Sequence, residues 1–192
     1  MKRKRQFTAR VLALLLAAVL LGGTVPLGIT AADTIAVSPT ALTTIVLANA
    51  CEAFGHIDGG EGQLYVETTL GDPYFDRVRP GDRIDLKVRV EKAGTYRWCV
   101  VSGWAKDTAN GTFRLFLDGE QITEPLANQV PGIDWRTWQD STPGTVKLPA
   151  GEHTLSLVTD TAGPNLYALK LAPEGVELSV PEGTVPLCEA DS

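Results

Sequence analysis

The sequence predicts an all-β fold, a single β-sandwich of the jelly-roll type behind an N-terminal signal peptide. Short segments in which apolar and polar residues alternate recur along the chain, with turn residues between them. Beyond the leader, no long segment has the periodicity of an amphipathic helix. The chain has 192 residues, of which 44% are hydrophobic and 21% charged, which suits one globular domain rather than two.

The leader has the features of a secretory signal peptide. Five basic residues precede the apolar run at positions 11–21, and Thr30-Ala31-Ala32 offers a small-residue cleavage site. We therefore expect residues 1–32 to be removed on export, leaving a protein that is secreted or at the cell surface and free of the membrane. An uncleaved anchor is the alternative, because positions 11–32 carry no charge. Two glycines and a proline in that stretch disfavour the anchor.

The charge balance bears on the class of partner. Cleavage after Ala32 leaves 12 of the 17 basic residues against all 23 acidic ones, a formal net charge of −11. Such a surface repels phosphate backbones, so nucleic acid is not an expected partner. A neutral or cationic ligand suits this charge better.

The first part of the domain has the weakest strand patterns. Residues 33–50 are uncharged apart from the first and form either a spacer or a first strand. Residues 64–66 predict a short strand after a glycine-rich break. Residues 71–76 predict a loop that carries the adjacent aromatics Tyr74 and Phe75.

The clearest strand spans residues 83–90, because its apolar residues alternate with charged ones. One face of this strand should pack on the core, and the other should meet water. The same alternation predicts further strands at 95–101, 113–117, 146–148, 153–158 and 165–171. Asp118-Gly119 is a strong hairpin signal, and residues 149–152 predict a tight turn.

Trp135 lies between Asp134 and Arg136 in a loop that begins with a Pro-Gly pair, not in an alternating run. This position favours an exposed ring. The alternative is a ring that packs inside the domain, because tryptophan is usually well buried. Trp104, beside Gly103, is a second candidate for an exposed aromatic.

Several segments occur in an order that resembles carbohydrate-binding modules of families 6 and 35. They are G-D-R-I-D-L-K-V at 81–88, A-G-T-Y at 93–96, the aromatic loop P-G-I-D-W-R-T-W at 131–138, L-P-A-G-E-H-T-L at 148–155 and a closing strand from Asn165. The resemblance covers residues 51–172, so 173–192 are a C-terminal extension. It implies a galactose-binding-like β-sandwich in which residues 148–155 form a hairpin, with a glycan or polysaccharide as ligand.

The resemblance also implies the residues of a sugar site. Trp135 matches the stacking tryptophan of the aromatic loop, Trp138 its second aromatic, and Asn165 the asparagine of the closing strand. Tyr74 or Phe75 matches the aromatic of an earlier loop. Two departures affect the polar part of the site: Asp134 replaces a glycine and Tyr167 replaces a second asparagine.

The run Cys51-Glu52-Ala53-Phe54 resembles the E-A-E opening of the same modules, where two glutamates help to hold a structural calcium ion. Here Phe54 stands in place of the second glutamate, which leaves Glu52, with Asp58, Glu61 and Asp72 nearby, as the oxygen ligands for one structural calcium ion. Among the three cysteines, we expect any disulfide to join Cys51 and Cys188, which lie at opposite ends of the domain. Cys99 fits a small buried thiol.

Catalytic signatures are missing from the sequence. His56 and His153 are the only histidines, and there is no nucleophile elbow, zinc-protease motif or phosphate loop. The first hypothesis is therefore a secreted, non-catalytic carbohydrate-binding module that accompanies a separate enzyme or surface protein. The second is a structural or adhesive domain without sugar binding. A small hydrolase is the third, and it requires two carboxylates about 5 to 10 Å apart across a cleft.

Overall fold

The computed structural model describes residues 33–59, 64–69, 71–107, 111–161 and 163–178. The predicted signal peptide and most of the predicted extension lie outside these ranges. Within them the strands are β1 (Ile35–Val37), β2 (Thr43–Val46), β3 (Cys51–His56), β4 (Tyr65–Glu67), β5 (Tyr74–Asp76), β6 (Asp82–Val90), β7 (Gly94–Gly103), β8 (Thr112–Leu117), β9 (Glu120–Gln121), β10 (Leu126–Ala127), β11 (Gln139–Asp140), β12 (Gly144–Leu148), β13 (Gly151–Thr159) and β14 (Asn165–Pro173). A single helical turn, Leu47–Ala50, links β2 to β3.

The strands form two sheets, which confirms the predicted all-β sandwich. The first sheet has the order β1-β6-β13-β8-β10, with β3 also on β6 and β9 also on β8. The second has the order β11-β7-β14-β5-β4, with β12 also on β7 and β2 also on β14. The pairing of β1 with β6 is parallel, whereas the longest ladders, β13 with β6 and β14 with β7, are antiparallel.

The main core lies between the two sheets and contains the predicted faces. Ile84, Leu86, Val88 and Val90 of β6 are each at most 1% exposed. Trp98 of β7 and Leu157 of β13 are as deeply buried. Burying each large apolar side chain contributes roughly 1.5–3 kcal/mol, so alternation along these strands is sufficient to direct one face inward.

The predicted hairpin at Asp118-Gly119 is confirmed and joins β8 to β9. Asp118 has φ 50° and Gly119 has φ 87°, so both central residues are in the left-handed region that a tight two-residue hairpin requires. The Asp118 carboxylate accepts a hydrogen bond from the Thr154 amide at 2.9 Å and lies 2.8 Å from Nδ1 of His153. These contacts give His153 a structural role at the start of β13.

Of the two alternatives for residues 33–50, the structure has strands rather than a spacer: they contribute β1 and β2, and Val37 and Ile45 are buried in the core. Two other expectations differ from the structure. The predicted loop at 71–76 ends in strand β5, where Phe75 pairs with Leu166. Strand β5 has only three residues, too few to show a period, and its sequence follows directly on a Gly-Asp-Pro turn.

The second difference concerns the predicted hairpin at 148–155. The chain does turn there, but β12 pairs with β7 in the second sheet and β13 pairs with β6 in the first. The turn therefore crosses between sheets, and the hairpin prediction is wrong. Turn residues mark where the chain changes direction, but they do not specify which strand the next segment pairs with.

A buried ion pair lies on the face of the second sheet that points away from the main core. Lys170, between the inward-facing Leu169 and Leu171, is only 7% exposed. Its Nζ lies 2.6 and 2.9 Å from the two carboxylate oxygens of Asp140 on β11. Beside this pair, Leu178 packs on Cys99, so the start of the predicted extension covers part of the sheet.

No helix within the described ranges is long and apolar enough to cross a membrane.

We predict that Asp140→Ala lowers the free energy of unfolding by about 2 kcal/mol, because it leaves the Lys170 ammonium buried without its partner. The loss is below that of a fully buried pair, since the Asp140 side chain is 32% exposed. Lys170→Met should cost less, because the remaining carboxylate can reach water. Urea unfolding measures both variants, and equal losses would contradict this account.

Candidate functional site

A groove of about 540 Å³ opens where β5 ends and β14 begins. This volume lies within the range of small-molecule sites in proteins. Its lining combines one exposed tryptophan, a tyrosine, an amide and three charged side chains: Tyr74, Asp76, Arg77, Val78, Trp135, Arg136, Gly163 and Asn165. The groove thus brings together three of the predicted site residues, Trp135, Tyr74 and Asn165.

Trp135 is 41% exposed, as its place in the loop suggested. Asp134 holds the loop in shape: its Oδ1 accepts hydrogen bonds from the backbone N–H groups of Arg136 and Thr137, both at 2.8 Å. The Thr137 hydroxyl donates to Oδ2 at 2.5 Å. This hydroxyl, followed by the Arg136 amide, lowers the pKa of Asp134 below its ordinary value. The Asp134 carboxylate therefore fixes the conformation of this turn through hydrogen bonds that it already accepts.

Close backbone contacts fix where the loop sits. The side-chain amide of Asn165 donates to the carbonyl of Trp135 at 3.0 Å. A Cβ at Gly103 would meet the same carbonyl oxygen at 2.6 Å, so only glycine allows this approach. A Cβ at Gly132 would likewise collide with the Trp104 ring. Glycines at both places let the loop lie directly against the end of β7.

Of the two candidates for the earlier aromatic, Tyr74 lines the groove and Phe75 does not. Tyr74 and Phe75 are consecutive residues of β5, so their side chains point to opposite faces of the sheet. Phe75 is fully buried in the main core, where it packs edge-on against Phe54 at 5.3 Å. Tyr74 is 5% exposed but lines the groove, so it can offer only part of its ring to a ligand.

Trp138 does not line the groove, although the resemblance placed it in the sugar site. It stacks on Tyr167 with ring centroids 5.1 Å apart and meets the edge of Tyr74 at 5.2 Å. In this cluster Trp138 packs against the Tyr74 ring without lining the groove itself. Trp104 also differs from expectation: it is 0% exposed, because the loop at Gly132 covers its ring.

Asp76 and Arg77 are among the groove residues that were not assigned to the site from the sequence. Arg77 directly follows β5 with φ 59°, and its backbone amide donates a hydrogen bond to the Asp76 carboxylate at 2.6 Å. Two charged residues at the end of a three-residue strand have the same sequence pattern as an ordinary polar turn, so they could not be recognised as site residues from the sequence. Only the fold shows that it faces Trp135 and Arg136.

The described residues around Glu52 do not form a metal site, and the structural calcium ion stays a prediction. The Glu52 carboxylate forms an ion pair with the Lys87 ammonium of β6. Within the described ranges, no group of three or more acidic, histidine or cysteine side chains could hold a metal. Asp72 accepts from the Tyr167 hydroxyl at 3.4 Å, and Glu61 lies outside the described residues.

The cysteines show no reactive thiol in the part of the chain that is described. Cys99 is fully buried, and burial raises its pKa to about 12, so it stays protonated. Cys51 is half-buried and has no disulfide partner within the described residues, and burial raises the pKa of its thiol. Cys188 lies outside the described residues, so a disulfide between Cys51 and Cys188 stays a prediction.

A smaller cavity of about 160 Å³ lies beside the buried ion pair and contains two carboxylates. Asp140 is held by Lys170 at 2.6 Å, and Glu177 lies 3.7 Å from Arg97. Each carboxylate therefore pairs with a cationic side chain. The acid and base of a glycoside hydrolase instead flank the scissile bond of the substrate.

Comparisons with known proteins show similarity at the level of the fold. No family model matches the chain, and no curated protein matches it significantly. The chain is similar to the C-terminal family 6 module of LamC, a marine laminarinase from Zobellia galactanivorans (TM-score 0.55, 18% identity, covering 68% of this chain and 98% of that one). It is also similar to a family 35 module from Clostridium thermocellum (TM-score 0.53, 18% identity, 69% and 98% covered).

A third solved structure, a family 6 module from Clostridium cellulolyticum in complex with xylose, has a TM-score of 0.53, 21% identity and coverage of 68% of this chain and 96% of that one. Each of these three similarities extends over nearly the whole of the module and about two thirds of this chain. The chain therefore has the fold of carbohydrate-binding modules of families 6 and 35.

We predict that Gly103→Ala displaces the aromatic loop, because the new methyl group would overlap the Trp135 carbonyl. Overpacking of this kind typically costs about 1–3 kcal/mol, and the emission of the exposed Trp135 should shift. Gly94→Ala is the matched control: it lies in the same strand, and its Cβ would meet only a Tyr96 ring carbon at 3.8 Å. Fluorescence and thermal unfolding that respond equally to both substitutions would contradict this packing.

The lowered pKa of Asp134 gives a pH dependence with a definite sign. The stabilisation by its carboxylate is fully present above the unfolded value of about 3.9 and is lost as pH falls through the folded value. The difference in unfolding free energy between wild type and Asp134→Ala should therefore shrink below about pH 4. The difference between Asp134→Asn and Asp134→Ala should stay constant, because neither variant titrates there. Urea unfolding at several pH values measures both differences.

Proposed function

We propose that the protein is a secreted, non-catalytic carbohydrate-binding module that binds a glycan in this groove. The observation that carries the proposal is the exposed ring of Trp135 beside Tyr74 and the Asn165 amide in one groove with a polar rim. A structural or adhesive domain without sugar binding would be expected to bury Trp135 or to leave it isolated.

The chemistry of the groove suits a sugar ring. The flat, apolar face of a pyranose stacks on an exposed indole through burial of apolar surface, worth about 25 cal/mol per Å². The electron-rich ring face adds attraction to the sugar C–H groups. Charged and amide groups at the rim are suited to hydroxyl groups of the sugar. The module from Clostridium cellulolyticum, solved with xylose, shares this fold and supports the ligand class.

The groove is arranged for binding rather than for bond cleavage. Asp76 is the one carboxylate of its described lining, whereas glycoside hydrolysis needs two that flank the scissile bond. The Asp76 carboxylate already accepts from the Arg77 amide at 2.6 Å. The mechanism would be reversible stacking on Trp135, held in place by the backbone contacts of its loop.

We predict that polysaccharide binding saturates in the wild type and is lost in Trp135→Ala, while Ile133→Ala binds normally. Ile133 is the matched control, because it belongs to the same loop, is 58% exposed and does not line the groove. Intrinsic tryptophan fluorescence, titrated with a panel of neutral and acidic polysaccharides, measures binding in the wild type and in Ile133→Ala. Affinity electrophoresis on gels containing the same polysaccharides compares all three proteins without relying on Trp135 emission.

Two results would oppose the proposal. Equal binding by the wild type and a folded Trp135→Ala protein would place the sugar elsewhere. No response to any glycan, with the fold intact by circular dichroism, would favour the structural or adhesive domain.

A further inference from the structure

Both polar groups of the peptide bond between Trp135 and Arg136 are held by side chains. The carbonyl accepts a hydrogen bond from the Asn165 amide at 3.0 Å, and the N–H donates to Oδ1 of Asp134 at 2.8 Å. Because a peptide bond is planar, these two contacts fix its plane from both sides. The rotamers open to a side chain depend on its backbone angles, so this fixed plane restricts how the Trp135 ring is turned towards the groove.

Asp134 makes its contact from outside the groove. It is not among the residues that line the groove, whereas Trp135 and Asn165 are. Its carboxylate also accepts hydrogen bonds from the amide and the hydroxyl of Thr137, so it spans the turn at whose centre Trp135 lies. Any effect of Asp134 on an uncharged ligand in the groove therefore acts through the loop that carries Trp135.

The order of this loop before binding affects the affinity for a ligand. Trp135 is 41% exposed, so packing against the domain restrains only part of its ring. Fixing a flexible residue in one conformation costs conformational entropy. If the loop is already ordered in the free protein, a ligand that stacks on the ring does not have to pay this cost.

The negative charge of Asp134 strengthens the restraint, because hydrogen bonds to an ionised group are stronger than those to a neutral one. The Thr137 hydroxyl, followed by the Arg136 amide, lowers the pKa of this carboxyl, and the charge of Arg136 is the smallest cause. The hydrogen bonds of the turn therefore dominate its environment. The charged residues on the elements around the loop are Arg136 itself, Asp76 and Arg77 at the end of β5, and Lys106 and Asp107 after β7.

We propose that Asp134 is a positioning residue of the sugar site, which orders the Trp135 turn before a glycan binds. This inference rests on the proposed sugar-binding function. Glycine stands at this position in the modules that the chain resembles, and glycine has no side chain to accept these hydrogen bonds. The restraint is thus a feature of this chain. Ionised Asp134 holds the turn most firmly, so glycan affinity falls when this carboxylate is protonated.

The test compares substitutions that remove or keep the hydrogen-bond acceptor. Isothermal titration calorimetry at pH 7 uses oligosaccharides of xylan, laminarin and galactomannan as neutral probes and of polygalacturonate as an acidic one. For the probe that the wild type binds most tightly, Asp134→Ala should bind about tenfold more weakly. Asp134→Asn should bind only about threefold more weakly, because its amide oxygen can still accept from both backbone N–H groups.

Asp107→Ala is the matched control. Asp107 is exposed, does not line the groove and follows Ala105, which bridges to Ile133 of the same loop. The substitution removes the same charge from the same end of the domain but no hydrogen bond of the turn. Its affinity should equal that of the wild type.

The pH dependence separates positioning by the carboxylate from a general structural role. The pKa of Asp134 is lowered in the folded protein, so its contribution is present above the ordinary value and is lost as pH falls through the folded value. Protonated Asp134 is neutral like asparagine, so the threefold difference between wild type and Asp134→Asn should vanish as pH falls from 7 towards 3. Asp76 and the glycan titrate equally in both proteins, so the ratio of the two dissociation constants isolates Asp134. Circular dichroism verifies the fold at each pH.

The outcomes separate the two proposals. Binding that is lost in Trp135→Ala but unchanged in a folded Asp134→Ala protein would keep the sugar site and overturn this inference. A ratio that does not change with pH would also overturn it, as would equal weakening by alanine and asparagine. If Asp134→Ala does not fold, the asparagine variant and its pH dependence decide. No binding of any probe by the folded wild type would overturn the proposed function and this inference with it.

Discussion

The groove depends on one backbone contact, the placement of the Trp135 carbonyl over the pair formed by Gly103 and Asn165. These two residues lie directly opposite each other where β7 and β14 pair. Gly103 leaves room for the carbonyl, and the Asn165 amide donates to it at 3.0 Å. Because β7 and β14 are central strands of the second sheet, the loop position is set by the pairing of the whole sheet rather than by the loop alone.

A register shift in β14 has a second consequence for the site. The shift lies between Leu166 and Ala168, and it places Tyr167 and Ala168 in the same outer cluster while Leu166 and Leu169 stay in the core. Tyr167 thereby reaches the Trp138 ring, which in turn packs on Tyr74. The groove tyrosine is therefore supported by two aromatic rings. A regular strand would have brought only alternate residues to that face.

The parts of the fold that were predictable are those in which several residues repeat one signal. The alternation in β6 and the Asp118-Gly119 hairpin are of this kind, and so was the exposure of Trp135, since its neighbours are polar. Single-residue choices failed where the deciding partner was distant in sequence. Phe75 and Trp104 are buried by Phe54 and by the loop at Gly132, and nothing in their own neighbours indicates this. Which sheet each strand joins is likewise a property of the whole chain.

Strand β3 balances its glutamate with a lysine of the neighbouring strand. In the modules that this chain resembles, two acidic residues of this strand help to hold a doubly charged ion. Here Phe54 removes one of the two charges and packs against Phe75, while Lys87 neutralises the remaining one on Glu52. One ammonium balances one carboxylate, so this pair of side chains carries no net charge. Since β3 pairs with β6 directly, the ion pair joins two strands that hydrogen bonds already connect. A partly exposed pair contributes at most about 1 kcal/mol, so the backbone ladder with β6 contributes more than this pair to holding the strand in place.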